Sequence, residues 1–265
     1  MQFQLYSDIH LEMFNGHKFP KITPKADYLI LAGNIDRKNL ENFLDYTSKN
    51  WERVFYVLGN HEYYYSSYTF HLLKDKYKNL CNKFHNVHLC DNSYHIIDDI
   101  IIYGFTAWTK PIFKTSEEAC LELNDYNEIR TFHDRTITIG EIAIISDNDM
   151  IKFKQFLEFF YNFKSFKDKK LMIVTHFPPI SGSSDNLNTT SDPIYKNDIL
   201  QNYFRWNNLC KEECIPKQYI EKIKVWCSGH THWNFNFVEN NIQYISNQIG
   251  YIEETIQFND GLFTV

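Results

Sequence analysis

The sequence is short of basic charge: Lys and Arg number 27 against 33 Asp and Glu, a formal net charge of −6. With no broad cationic field, strong binding of duplex nucleic acid is not expected. No apolar run has the length that crosses a bilayer, so no membrane partner is expected either. Glycine and proline are scarce, nine and seven in 265 residues, and no Pro/Gly/Ser-rich linker or low-complexity tract divides the chain. These absences exclude fibrous and disordered classes and argue for one domain over residues 1–265. The opening stretch Met1 to Tyr6 has neither the basic nor the apolar region of a secretory leader, so a cytoplasmic protein with reduced thiols is expected. Cys210 and Cys214 lie four apart, but no second Cys or His pair at zinc-site spacing completes them. Ordinary thiols are expected there.

What is abundant is core material: 43% of residues are hydrophobic and 17% aromatic, enough for one large core. Short β-type runs occur at Phe3–Tyr6, Tyr28–Leu31, Val54–Val57, Ile100–Tyr103, Leu171–Val174 and Val225–Cys227, each ending in polar or Gly-containing residues. Between them, 39–48, 67–83 and 149–163 carry apolar residues at helical spacing. From about Lys224 the pattern turns to short strands, at 235–238, 243–246, 252–258 and 262–265. The expected fold class is α/β, a pair of mixed sheets covered by helices.

The residues with chemistry fall where those strands end. Asp8 and His10 follow the first strand two apart, and an extended backbone turns such a pair to one side. The second strand ends in Gly33-Asn34-Ile35-Asp36-Arg37, with Asn34 or Asp36 able to offer an oxygen to a metal. The third ends in Gly59-Asn60-His61-Glu62, then come Thr175-His176 and Gly229-His230-Thr231-His232. Taken singly, each is equally a turn residue or a hydrogen-bonded strand-end histidine. Together they place five of the eleven histidines directly after apolar strands.

The order Asp-x-His, Gly-Asn, Gly-Asn-His-Glu, Thr-His, Gly-His-x-His resembles the calcineurin-like metallophosphoesterases, and this combination is specific. The resemblance extends to Ile102–Thr109, to Asn124-Asp125-Tyr126 with Ile129-Arg130, and to Asn247–Tyr251, as in a bacterial-type branch of the family. It implies a four-layer α-β-β-α sandwich, the metallo-dependent phosphatase fold. It also implies a hydrolase of phosphomonoesters or phosphodiesters using two divalent metal ions, manganese, iron or zinc, about 4 Å apart. Asp8, His10 and His232 would bind the first metal, and Asn60, His176 and His230 the second, with Asn34 between them. A metal-activated water would attack phosphorus, and His61 would protonate the leaving alkoxide or hold the substrate, with Glu62 or another carboxylate orienting it.

One position departs from the family pattern. Family members carry Gly-Asp where this chain has Gly33-Asn34, and a neutral amide between two dications leaves their repulsion less compensated. Asp36 could restore a carboxylate by turning to the same side, or pair in a turn with Arg37. The alternative function is therefore a catalytically impaired relative that binds phosphate or a partner. The expected substrate is a small phosphoester, with nucleotide-like ones among the candidates. Tyr63, Tyr64 and Tyr65 could stack on a base or fill core, Asn124 and Arg130 could reach a phosphate, and the segment 177–206 could shape specificity.

Overall fold

In the computed structural model of the protein, the residues described are 1–14, 22–112, 120, 122–132, 135–179, 203–204, 206, 215–254 and 258–265. Cys210, Cys214 and most of the 177–206 segment lie outside them, while Cys81, Cys90, Cys120 and Cys227 are free thiols.

The first sheet contains β1 (Gln2–Tyr6), β2 (Tyr28–Ala32), β3 (Arg53–Val57), β4 (Val87–Leu89) and, at its other edge, β13 (Leu262–Thr264), in the order β13-β1-β2-β3-β4. The second contains β5 (Ser93–Ile97), β6 (Ile100–Phe105), β9 (Lys170–Thr175), β10 (Ile223–Cys227), β11 (Asn236–Glu239) and β12 (Ile242–Ile245), in the order β11-β12-β10-β9-β6-β5. A short ribbon pairs β7 (Arg130–Phe132) with β8 (Arg135–Thr136). Strands β1 to β4 run parallel, as do β6, β9, β10 and β12; β13 is antiparallel at one edge of the first sheet, and β11 and β5 are antiparallel at the two edges of the second.

Period-two alternation explains the layers. Phe3, Leu5, Ile30, Ala32, Ile100, Ile102, Met172, Val174, Val225 and Cys227 fill one cluster between the two sheets. Their neighbours Leu29, Leu31, Ile101, Tyr103, Leu171, Ile173 and Trp226 turn to the outer faces and join the larger core under the helices. Strands buried on both faces read as unbroken apolar runs, which is why these were legible. The helices Leu40–Asn50 and Phe70–Cys81 cover the first sheet. The long helix Ile139–Asn162 covers the second, with Phe156 stacked on Tyr103 at 4.0 Å and Phe153 against Trp226. The four-layer α-β-β-α fold is as expected.

The long helix starts ten residues before the expected 149, because its beginning is set by a cap and not by the apolar stripe. Thr138 Oγ1 accepts from the Glu141 amide, while Glu141 accepts from the Thr138 amide and from Arg135. Thr138→Ala removes that cap and is expected to cost about 1 kcal/mol, seen as a lower urea midpoint at unchanged slope. The run 252–258 is a correction: Ile252 to Glu254 form a turn that brings Glu254 onto a histidine, and 255–257 lie outside the described residues. β4, β5, β7 and β8 went unmarked in the sequence since they are short or half-exposed.

Candidate metal centre

All five motifs leave the C-terminal ends of parallel strands: β1, β2 and β3 from one sheet, β9 and β10 from the other. That edge of an α/β sheet is where ligand sites form. Asp8, His10, Asn34, Asn60, His176, His230 and His232 all meet there and all are buried. The close approach depends on glycine. A Cβ on Gly59 would lie 2.7 Å from the Asn34 amide nitrogen and 2.8 Å from His176 Cε1, and one on Gly229 would strike Asp8 Oδ2.

Backbone strain concentrates at the same place. Asp8, His10, Asn34, His230 and His232 take φ of 49°, 49°, 56°, 73° and 52°, the left-handed region that L-residues avoid. Each costs on the order of 1 kcal/mol, and such strain gathers at functional sites. The crossed connections hold it: His10 N–H donates to Asn34 O at 3.0 Å, Gly250 N–H to Asp8 O at 2.8 Å, and His232 N–H to Gln248 Oε1 at 2.6 Å.

Asp8 sits at the middle. Its Oδ2 accepts from the His230 amide at 2.8 Å and its Oδ1 from Asn34 Nδ2 at 3.0 Å. His10 Nε2 and His232 Nε2 approach that same Oδ1 at 3.8 and 3.7 Å. Burial alone would raise the Asp8 carboxyl, but His176, His232 and His10 around it hold it well below the usual carboxylate range.

Two pairs of possible ligand atoms face one another. His176 Nδ1 donates to Ala32 O at 2.8 Å, and burial keeps this ring below the usual histidine pKa, so Nε2 presents a lone pair. The atom it meets at 3.0 Å is Asn60 Oδ1, also an acceptor. Similarly, His232 Nδ1 is held by Glu254 at 2.6 Å, leaving its Nε2 3.1 Å from His10 Nε2. Nearby, the buried Nδ1 of His230 has no hydrogen-bond partner. The Asn60–His176 pair sets acceptor against acceptor in a dry site, as a cation-binding group does, and the set contains no thiolate.

Burial disfavours charge on His232, but the Asp8 and Glu254 carboxylates beside it, Glu254 by a hydrogen bond, outweigh it and push the imidazole up to about 9. His10 goes the other way, down to about 3, through burial and then the neighbouring His232. At neutral pH, therefore, His232 carries a proton that it must release before Nε2 can ligate. Metal binding at pH 7.5 is expected to release roughly one proton per chain and to weaken as pH falls below about 9. Titration calorimetry in two buffers of different ionisation heat measures this, and a proton count of zero would show that the metal-free imidazole is neutral or that His232 does not bind the cation.

Not every expected residue plays the expected part. Asp36 Oδ1 accepts from the Lys38 and Asn39 amides at 2.7 and 3.1 Å, closing the turn into the first helix, so in this structure it serves the loop. Glu62 accepts from the amides of Asn34, Ile35 and Gly59 at 3.0, 2.7 and 2.7 Å, clasping the second and third motif loops together. Despite those bonds, burial raises the Glu62 carboxyl to about 7. The carboxylate beside His61 is instead Glu12, whose Oε1 lies 3.9 Å from His61 Nδ1, 3.8 Å from His10 Nδ1 and 3.4 Å from Arg37 Nε. On its other side, His61 Nε2 is 3.2 Å from the Tyr251 hydroxyl. Glu12, Tyr251, Glu254 and Asp125 were missed as site residues. Glu12 stands two residues after His10 in the turn Leu11–Met13, and Asp125 and Tyr251 fall in the stretches that share the family resemblance, though none of the three was assigned a role.

His61 faces a cleft also lined by Asn60, Tyr64, Asn124, Phe204 and Tyr251. Of the tyrosine run, Tyr63 is core stacked on Phe70, Tyr64 reaches the cleft, and Tyr65 is 62% exposed beneath the Arg37 guanidinium. Arg130 starts β7, and Phe204, from the 177–206 segment, stacks on His230 at 5.4 Å.

The sequence profile of the calcineurin-like phosphoesterases matches residues 1–234. The chain belongs to that family. An uncharacterized protein of Acanthamoeba polyphaga mimivirus is 30% identical over 271 residues, covering 96% of this chain and 92% of that one. Among solved structures, the phosphopantetheinyl hydrolase of Mycobacterium tuberculosis superposes with a TM-score of 0.70 at 13% identity, covering 100% of this chain and 95% of that one. At that identity the likeness is one of fold. Membership makes this chain a hydrolase-family protein with groups that can bind metal, of which Asp8, His10 and His232 form one and His10, Glu12 and His61 another. Among the described residues, no helix is long and apolar enough to cross a membrane.

Proposed function

We propose that this calcineurin-like phosphoesterase hydrolyses small phosphomonoesters or phosphodiesters at a dinuclear centre. Asp8, His10 and His232 would hold one divalent cation and Asn60, His176 and His230 the other, with Asn34 beside Asp8. The observation that carries this reading is the meeting of Asn60 Oδ1 with His176 Nε2, acceptor against acceptor, beside the cluster of Asp8, His10 and His232.

When bound, the cations supply Lewis-acid activation of a water and neutralise charge on the phosphoryl oxygens. The chain's own residues do the rest. Glu254 and the Ala32 carbonyl fix the ring orientations of His232 and His176. His61 holds a proton at Nε2 for the leaving oxygen as the P–O bond to that oxygen breaks and the bond to water forms. Burial and then His10 keep the free imidazole well below its usual pKa, and a phosphoryl anion beside it favours the imidazolium again. Glu12 faces its Nδ1, while Tyr64 and Phe204 shield the cleft.

A second reading, a phosphate- or partner-binding relative without turnover, has one observation in its favour. Asn34 uses both ends of its amide inside the protein, donating to Asp8 and accepting from the His61 amide at 2.9 Å. The deciding experiment is a panel of nucleotides, cyclic nucleotides and aryl diesters run with each of several added metals, alongside metal stoichiometry. Turnover on any ester with two bound cations supports the enzyme, and binding without turnover on all of them supports the alternative.

A further inference from the structure

An amide is an unusual metal ligand because it presents oxygen one way round and NH2 the other. Nothing intrinsic to Asn60 selects the oxygen. What selects it here is a ring of three hydrogen bonds closed from a distant part of the chain. Asn60 Nδ2 donates to Asp125 Oδ1 at 2.9 Å and to the Tyr64 hydroxyl at 2.9 Å, and the Tyr64 hydroxyl donates in turn to the same Asp125 oxygen. Asp125 lies 65 residues away, on the short helix Asn124–Glu128 that forms one wall of the cleft.

With the amide nitrogen held by those two oxygens, Asn60 Oδ1 turns to His176 Nε2 at 3.0 Å. The His176 ring is itself locked by its bond to Ala32 O. Rotating the amide by half a turn would aim NH2 at the position where a cation fits and set Oδ1 against the Asp125 carboxylate, unfavourable at both ends.

We propose that Asp125, together with the Tyr64 hydroxyl, is the positioning group that turns the Asn60 oxygen toward the second cation. This rests on the dinuclear reading above. It assigns the 122–130 segment a role in metal binding as well as in forming the cleft wall.

Asp125→Leu removes the acceptor. In the full chain, titrated calorimetrically with manganese alone and then with zinc alone, the variant is expected to keep the first site. It should bind the second cation at least roughly tenfold more weakly than wild type. A role limited to anchoring the wall is separated by the double exchange Asn60→Asp with Asp125→Asn. A carboxylate at position 60 offers oxygen in either orientation, and the amide at 125 can donate to it. That variant should bind both cations at least as tightly as wild type, while circular dichroism without metal shows all variants folded. Wild-type affinity at both sites in Asp125→Leu would overturn the proposal, as would a folded double exchange as weak as Asp125→Leu. If wild type turns over ester with two cations while either of those results holds, this inference alone falls. If wild type binds fewer than two cations, the functional reading falls and takes this one with it.

Discussion

His61→Asn is expected to slow hydrolysis of an alkyl phosphoester by roughly 10²- to 10⁴-fold, the usual worth of a positioned general acid. The same variant should cleave an ester with a nitrophenol leaving group at nearly the wild-type rate, because that oxygen departs without a proton. The contrast tests what the geometry supports. His61 Nε2 points into the cleft beside the Tyr251 hydroxyl, and Nδ1 faces the Glu12 carboxylate at 3.9 Å. His61 packs edge-on against the His10 ring at 4.5 Å but is not among the residues proposed to hold the cations, so metal stoichiometry should stay as in wild type. A loss of equal size on both esters, accompanied by a raised KM, would instead assign His61 to holding substrate.

What was readable in the sequence was whatever is local. Strands buried on both faces, such as Leu171 to Val174, are continuous apolar runs, and the ligand motifs follow them within one or two residues. The order of those motifs carried the family. What stayed hidden was whatever the tertiary structure supplies. Glu254 reaches His232 across 22 positions, Asp125 reaches Asn60 across 65, and neither has a spacing that periodicity can detect. Glu62 illustrates the opposite error. Its place beside His61 suggested an orienting carboxylate, yet the turn His61–Tyr63 aims the two side chains apart and Glu62 joins two loops instead. Asp36 was read by spacing in an extended loop, but the chain turns there and the carboxylate is taken up by the Lys38 and Asn39 amides ahead of the helix.

Asn34→Asp is the substitution with the most to say about whether the centre works. In wild type the amide of Asn34 donates to Asp8 Oδ1 at 3.0 Å. Replacing it by a carboxylate converts that hydrogen bond into a buried like-charge contact, expected to cost the metal-free protein roughly 1–3 kcal/mol. With metal the sign reverses. A negative oxygen between two dications gains several kcal/mol of attraction at short range even at an effective dielectric near 20, before the carboxylate's desolvation is subtracted. A net gain of about 2.8 kcal/mol corresponds to roughly a hundredfold tighter second cation. The variant should therefore melt lower than wild type in chelator and higher in manganese, and it should hydrolyse an aryl diester faster at limiting metal. The backbone bond from the His61 amide to Oδ1, 2.9 Å in wild type, is available to either side chain, so the loop need not move. If occupancy and rate do not change while chelator still lowers the melting temperature, position 34 touches Asp8 but does not lie between the cations, and the dinuclear geometry drawn from it is wrong.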